Sequence, residues 1–523
     1  MIDQASVSPG ATSQRSSLSQ TLPRTTTPVH PESDLEKNST SDAIAANQSI
    51  SSNVDQETVN QENAGTVDWD GPNDPEMPIN WPNFRKWTNL LAISTMTLLT
   101  PFASSMLAPA VEQVMQQMGE TNRDIGSLSV SIYLLGYAFG PLFLAPLSEL
   151  YGRLPVYHIC TILFIITNVA CALSINIPML ISFRFLTGLV GAGPLTVGPG
   201  SVADCFRQKE RGKAMAIWTM PVLLGPSIGP AVGAYVSRGL GWRWNFWLLV
   251  IMTGVVFIIC VFVQKETHAP TLLRRKAKKL QLQGNPELRA AKDPNYSRSQ
   301  LLKGSLSRPL KMLCLSPIIL GLSLLTAVAY GTLYLLFTTT TEVFKTRYGI
   351  ITNVGLVYLG FGCGQIAGLF LFGAVSDAIV GRMAKGGEMK PEYRLPLMIP
   401  GSATIPIGLL IYGWTAQFRV FWFVPIIGTF FIGFGMITVF TSVGTYLVDA
   451  FPTHAASATA ANTVLRSVGG ALLPLAGPKM YKALDQGWGN TLLAGVSFGM
   501  MGMIVVAYKY GEKLRTGSKY QLD

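Results

Sequence analysis

Charge is what this 523-residue chain has least of. Charged residues make up 13% of it against 49% hydrophobic, where a soluble domain carries about 25% charged. That deficit, with a mean hydropathy of +0.34, excludes an ordinary soluble enzyme. Histidine is nearly missing, with 4 in the whole chain. No CxxC pair or His/Cys cluster occurs, so neither a metal site nor a disulfide framework is expected. Cys160, Cys171, Cys205, Cys260, Cys314 and Cys363 lie in or beside apolar segments and read as small apolar residues. No nucleophile–base pair marks an enzyme. Acidic residues are outnumbered, 29 against 40 basic, for a net charge of +11. Nucleic acid would suit such a balance, but basic loops held on the cytoplasmic side of a membrane suit it more simply, so no nucleic-acid partner is expected.

What the chain has in abundance is long apolar runs. A helix needs about 20 residues to cross the hydrocarbon. Candidate spans are Trp87–Ala110, Ile125–Ala145, Val156–Leu173, Leu180–Ala203, Ala214–Val236 and Trp244–Val263, then Leu310–Phe337, Val354–Val375, Leu395–Trp414, Phe421–Leu447, Ala456–Leu475 and Leu492–Tyr508. Residues 1–66 are rich in Ser, Thr, Gln and Asn and poor in aromatics, so they are expected to form a disordered tail. Residues 67–86 precede the membrane, and 87–263 and 310–508 form two six-helix bundles. Residues 264–309 form a basic linker and 509–523 a second tail. The linker holds Arg274, Arg275, Lys276, Lys278, Lys279 and further basic residues. Placing it in the cytosol puts both termini there too. The expected fold is an all-α polytopic membrane protein of twelve spans in two halves.

Several short patterns sit where such halves meet the cytosol. After span two the chain reads Ala145-Pro-Leu-Ser-Glu149-Leu-Tyr-Gly152-Arg153. Glycine permits a tight turn between helices, and a carboxylate with a guanidinium can lock two helix ends. The second half echoes it after span eight with Gly373-Ala-Val-Ser-Asp377 and then Gly381-Arg382, one residue further apart. Asp204 closes span four, ahead of Arg207 and Arg211. Glu149, Arg153, Asp204 and Arg211 are therefore expected to form one inner-gate charge cluster; the rival reading is surface pairing. Span five carries Gly225-Pro226-Ser-Ile-Gly229-Pro230, then Gly233. Small residues let helices approach closely, and proline bends them.

Two arginines stand inside spans, Arg184 in span four and Arg466 in span eleven. A guanidinium there costs about 2.5–3.5 kcal/mol even on the lenient scale, so each should face the bundle interior. Either can bind an anionic substrate group, pair with a carboxylate or shift the pKa of a proton carrier. No carboxylate stands near the middle of a span; Glu112, Glu342 and Asp449 flank them. Phe102, Trp218, Tyr330, Tyr334 and Phe337, with Gln365 and Asn462, are candidates for a central cavity.

From Trp69 to its end the chain resembles a fungal twelve-span drug:proton antiporter of the major facilitator superfamily. The resemblance rests on the loop and span-five patterns, with Asn80-Trp-Pro, Tyr330-Gly-Thr-Leu-Tyr334, Pro391-Glu-Tyr-Arg-Leu395, Tyr446-Leu-Val-Asp449 and Ala456-Ser-Ala-Thr-Ala-Ala-Asn462 before Arg466. The family loop has Gly at Ala145, Asp at Glu149 and basic residues at Leu150 and Leu154. The resemblance implies alternating access that exports drugs, toxicants or secondary metabolites. It also implies proton coupling through Arg184, a proton gradient in place of a cofactor, and an antiporter role for Gly225, Pro226, Gly229 and Pro230. The expected working state is a monomer in the plasma membrane, with the vacuolar membrane as an alternative. Carriage of one metabolite such as an organic acid or polyamine, and a non-transporting sensor, are the alternative functions.

Overall fold

The computed structural model describes residues 66–283, 288–290, 298–350, 354–384, 390–451 and 455–516. Helix dominates them because, in hydrocarbon, every backbone N–H and C=O must find its partner within the chain. The first half comprises α1 (Asn83–Met106), the short α2 (Val111–Met118), α3 (Arg123–Tyr151), α4 (Arg153–Ala172), α5 (Ile177–Cys205), α6 (Gln208–Leu240) and α7 (Arg243–Val263). Then come α8 (Ala269–Leu282) and α9 (Arg298–Leu315). The second half comprises α10 (Pro317–Tyr348), α11 (Tyr358–Ala384), α12 (Met398–Gln417), α13 (Phe423–Ala450) and α14 (Ala455–Thr516).

Eleven helices among the described residues are long and apolar enough to cross a membrane. The last of these, Ser457–Arg515, has 59 residues, about three times what one crossing needs. It is interrupted at Asp485 (φ 57, ψ −176), so α14 carries two crossings and the chain makes twelve. The lipid-facing surface is plainest on α7, where Ile251, Val255, Ile258, Ile259 and Phe262 are all exposed. Their spacing is that of one helical face.

The two ends of the bundle are best named by what they carry. Helices α4, α6, α10, α12 and α14 begin at the end that bears the linker, the start of α1 and the end of α14, the linker end; α3, α5, α7, α11 and α13 begin at the far end. Within the first half α3 packs on α5, and α1 on α6; within the second, α10 packs on α14 and α13 on α11 and α12. The halves meet where α3 touches α14 and α6 touches α11.

The structure departs from the sequence-based bounds at the linker. The basic linker expected over 264–309 contains α8 and most of α9, which runs on to Leu315. The seventh crossing starts at Pro317, after Ser316 turns extended (φ −102, ψ 107), as a residue before proline must. Val67 packs with Leu273 and Ala277 of α8. Lys276 pairs with Asp70 at 2.6 Å and lies 3.7 Å from Asp74. The segment before α1 thus straps α8 to the bundle. The final helix continues to Thr516, past the expected tail boundary at 509. The tail expected over 1–66 lies, Thr66 aside, outside the described residues.

Candidate functional site

Arg184 on α5 is fully buried. No carboxylate meets it. Its Nη1 donates to Ala103 O at 2.9 Å and Nη2 to Ser104 O at 2.9 Å, while Nε donates to Ser129 O at 3.2 Å and Nη2 again to Val130 O at 3.4 Å. Ala103 and Ser104 belong to the last turn of α1, where helix carbonyls lose their intrahelical donors. Beyond them the chain turns through the Ala108–Ala110 3-10 segment, which contains Pro109 and so lacks one further N–H. The guanidinium caps the end of α1 and sits at the negative pole of its dipole, 4.7 Å over the Tyr133 ring. Tyr133 in turn donates to Thr100 O at 2.8 Å. Arg184 is thus a staple joining α1, α3 and α5.

Arg466 is placed differently. Its guanidinium lies 5.0 Å from the Tyr330 ring and 5.5 Å from the Phe440 ring. Its buried Nε has no hydrogen-bond partner among the described residues. One turn away, the Asn462 carbonyl accepts from Thr326 Oγ1 at 2.6 Å. Tyr330 packs edge-on against Tyr334 and Phe440, and Tyr334 against Phe337.

Two polar contacts join the halves near mid-bundle. The Tyr334 hydroxyl on α10 lies 2.6 Å from Ser104 Oγ on α1, with either oxygen able to donate. Ser227 on α6 donates to Gln365 Oε1 on α11 at 3.2 Å. Gly225 and Gly229 bring α6 against α1: a Cβ there would meet Phe102 N at 2.9 Å and Phe102 O at 2.7 Å. Pro226 and Pro230 lie within α6, which continues unbroken to Leu240. Its small-residue face therefore seats α1, while Ser227 reaches the second half. Trp218 is buried and packs over Gly198 of α5, its indole N–H unpartnered. It joins neither the Arg184 nor the Arg466 cluster.

At the linker end the expected charge cluster forms only in part. Arg153 Nε pairs with Asp204 Oδ2 at 3.4 Å, and Nη1 donates to Ser148 Oγ at 2.6 Å. Glu149 does not join: it is exposed and meets no partner among the described residues. Two residues before the end of α3, its side chain leaves on another face from the turn that aims Arg153 inward. The side chain of Arg211 lies outside the described residues. The carboxylate that sequence reasoning missed is Glu266, just beyond α7. It accepts from the Arg153 N–H at 2.9 Å and the Leu154 N–H at 3.2 Å, and so caps α4. Gly152 makes this possible. Its backbone is left-handed (φ 99), and a Cβ there would strike the Glu266 carboxylate. Thr267 donates to Asp204 at 3.3 Å and Arg274 to Leu150 O at 2.9 Å. Burial first, then the nearby Arg153 and Arg274, pushes the His268 imidazole down to about 4. It therefore stands neutral, 2.9 Å from Thr271 Oγ1. The only sequence signal for Glu266 was its place in Lys265-Glu-Thr-His268, directly after span six.

The echo in the second half has the residues without the turn. Asp377, Gly381 and Arg382 all lie within α11, which runs to Ala384. Arg382 is exposed, and the Asp377 side chain lies outside the described residues.

The far end is stitched across the halves. Arg123 pairs with Glu342 at 2.6 Å, Lys345 with Glu112 at 3.2 Å and Lys479 with Asp124 at 2.8 Å. Each pair has one partner in each half. Among the described residues at the linker end of the two bundles, the ion pairs join residues of one half: Arg153–Asp204, Arg394–Asp449 at 2.6 Å, Lys390–Glu512 at 2.8 Å and Arg515–Glu392 at 3.7 Å.

The sequence profile described as Major Facilitator Superfamily matches residues 93–474. The chain is 51% identical to the MFS-type transporter penM of Penicillium rubens, over 87% of this chain and 90% of that protein. It is 46% identical to the efflux pump radE of Floropilus chiversii, over 87% of this chain and 86% of that one. Among solved structures it resembles a partially occluded inward-open conformation of the xylose transporter XylE from E. coli. That match has a TM-score of 0.63 at 16% identity, covering 82% of this chain and 98% of the other.

Proposed function

The chain belongs to the major facilitator superfamily, and from that premise we propose that it exports amphipathic small molecules, whether drugs, toxicants or secondary metabolites, by proton-coupled alternating access. It is a multi-pass membrane protein and not an enzyme. The observation that carries the mechanism is the difference between the two ends. Among the described residues, three ion pairs cross the halves at the far end, and those at the linker end join residues of one half. Such an arrangement closes the far end while leaving the linker end free to part. Basic residues of α8 and its flanks support a cytosolic linker end, and on that reading this is the inward-facing state.

In the export cycle a substrate enters from the cytosolic side and the far-end pairs break. Arg153 and its partners then meet the second half, and the substrate leaves outward. Direction comes from the proton gradient, with no cofactor. It requires that substrate and proton favour different states, because a ligand binding both equally shifts nothing. The protein works as a monomer in the plasma or vacuolar membrane, termini in the cytosol. The relative named as an efflux pump supports the outward direction. The test is toxicant accumulation in cells with and without the protein, with and without a proton uncoupler. The expected result is lower accumulation with the protein, abolished by the uncoupler. Higher accumulation with the protein present would establish uptake instead.

A further inference from the structure

Resting on that transporter reading, we propose that the substrate is an organic anion with a flat apolar body, and that Arg466 binds its acidic group. The middle of the bundle holds two guanidiniums and no carboxylate among the described residues. Arg184 is not available to a ligand, since four bonds to backbone carbonyls occupy it. Arg466 makes no hydrogen bond or ion pair with any described residue, and its Nε is buried without an acceptor. Ring faces alone do not explain this. A cation–π contact is worth about 0.5–2 kcal/mol, no more than the cost of holding an arginine in hydrocarbon. Arg184 also has a ring beneath it and still takes four acceptors. An unfilled guanidinium at this depth is a site for an acceptor that the protein does not itself supply.

The surroundings select what that acceptor is attached to. Asn462 lies one helical turn from Arg466, on the same face of α14. Its carbonyl is taken by Thr326, which leaves the amide N–H groups as donors. Donors without a competing carboxylate favour a carboxylate, phenolate or sulfonate. One turn the other way, a Cβ on Gly470 would meet Leu134 of the first half and Tyr330, each at 2.8 Å. That bare backbone lets apolar side chains of both halves close on the arginine. The Tyr330 and Phe440 rings, themselves packed edge-on, offer flat walls to an aromatic or polycyclic body. A ligand held here touches α14, α10 and, through Leu134, α3, so it bears on both halves at once.

The experiment uses the full chain in proteoliposomes with two probes of one shape, 2-naphthoate and 2-naphthamide, in a counterflow assay. The wild type is expected to exchange the acid about tenfold or more faster than the amide, the worth of one charge-assisted bond. Arg466→Gln is expected to remove that preference, and Arg466→Lys to keep the preference with a weaker rate. Thermal unfolding of each variant reports folding. If Arg466→Gln does not fold, Arg466→Lys decides: an unchanged acid rate overturns the assignment. Equal exchange of acid and amide by the wild type, or an acid preference surviving in folded Arg466→Gln, overturns the anion site while leaving a working transporter. Exchange of neither probe by the wild type overturns the anion site, while toxicant accumulation in cells decides the transporter reading separately.

Discussion

The two halves answer the same problem, a guanidinium inside hydrocarbon, in opposite ways. The first half spends Arg184 on its own backbone, tying the end of α1 to α3 and α5. The second leaves Arg466 against two rings, its buried Nε with no acceptor among the described residues. The same contrast recurs at the linker end. Gly152 breaks the chain so that Arg153 turns in to Asp204 and Glu266 caps α4. In the second half the matching Gly381-Arg382 step stays inside a continuous helix. Related halves therefore need not share a mechanical role. The first is a braced frame, and the second holds the unfilled group. Beside the packing of α3 on α14 and α6 on α11, the polar contacts that couple them among the described residues are Ser104 with Tyr334, Ser227 with Gln365, and three ion pairs at the far end.

The substitution expected to break this contrast most severely is Arg184→Ala. It strands the Ala103 and Ser104 carbonyls, each costing about 1–3 kcal/mol when left unpaired in the interior. Transport should disappear together with a clear drop in thermal stability. A stable but inactive variant would instead make Arg184 a functional group like Arg466. Next is Glu266→Gln, which keeps one acceptor but loses the charge at the start of α4, about 1–2 kcal/mol. Slower transport with slightly lowered stability is expected. Arg382→Gln should do much less, and equal effects in a transport assay would erase the difference between the halves. Arg123→Glu attacks the coupling. Its pair with Glu342 is exposed and worth up to about 1 kcal/mol, so the balance between states should shift by roughly fivefold at most. Cysteine accessibility at the far end should report it, and Arg123→Glu with Glu342→Arg should restore it. The smallest effect is expected for Glu149→Gln, with unchanged transport kinetics; a clear loss would bring Glu149 into the inner gate in another state.

Much of this was legible in the sequence. Span number follows from run length, since about 20 apolar residues have one stable place to go. Arg184 and Arg466 announced themselves by their cost in such runs. The loop pattern marked Gly152 and Arg153, whose geometry depends on a local left-handed turn. Glu149 misled because an acid three residues before Gly152 looks like the natural partner of Arg153. The actual capping carboxylate, Glu266, arrives from 113 residues away. Nothing local distinguishes it from other acids flanking spans.

Composition and hydrophobic run length by themselves determined a helical membrane protein of twelve crossings with its basic face on one side, because the bilayer tests each segment one at a time. Which arginine is satisfied and which is not, and which charges close the far end, were decided by the tertiary structure. Arg123 finds Glu342 across 219 residues and Lys345 finds Glu112 across 233. Such pairings depend on how helices stack, and a hydrogen bond is decided by a few tenths of an ångström that no one segment specifies.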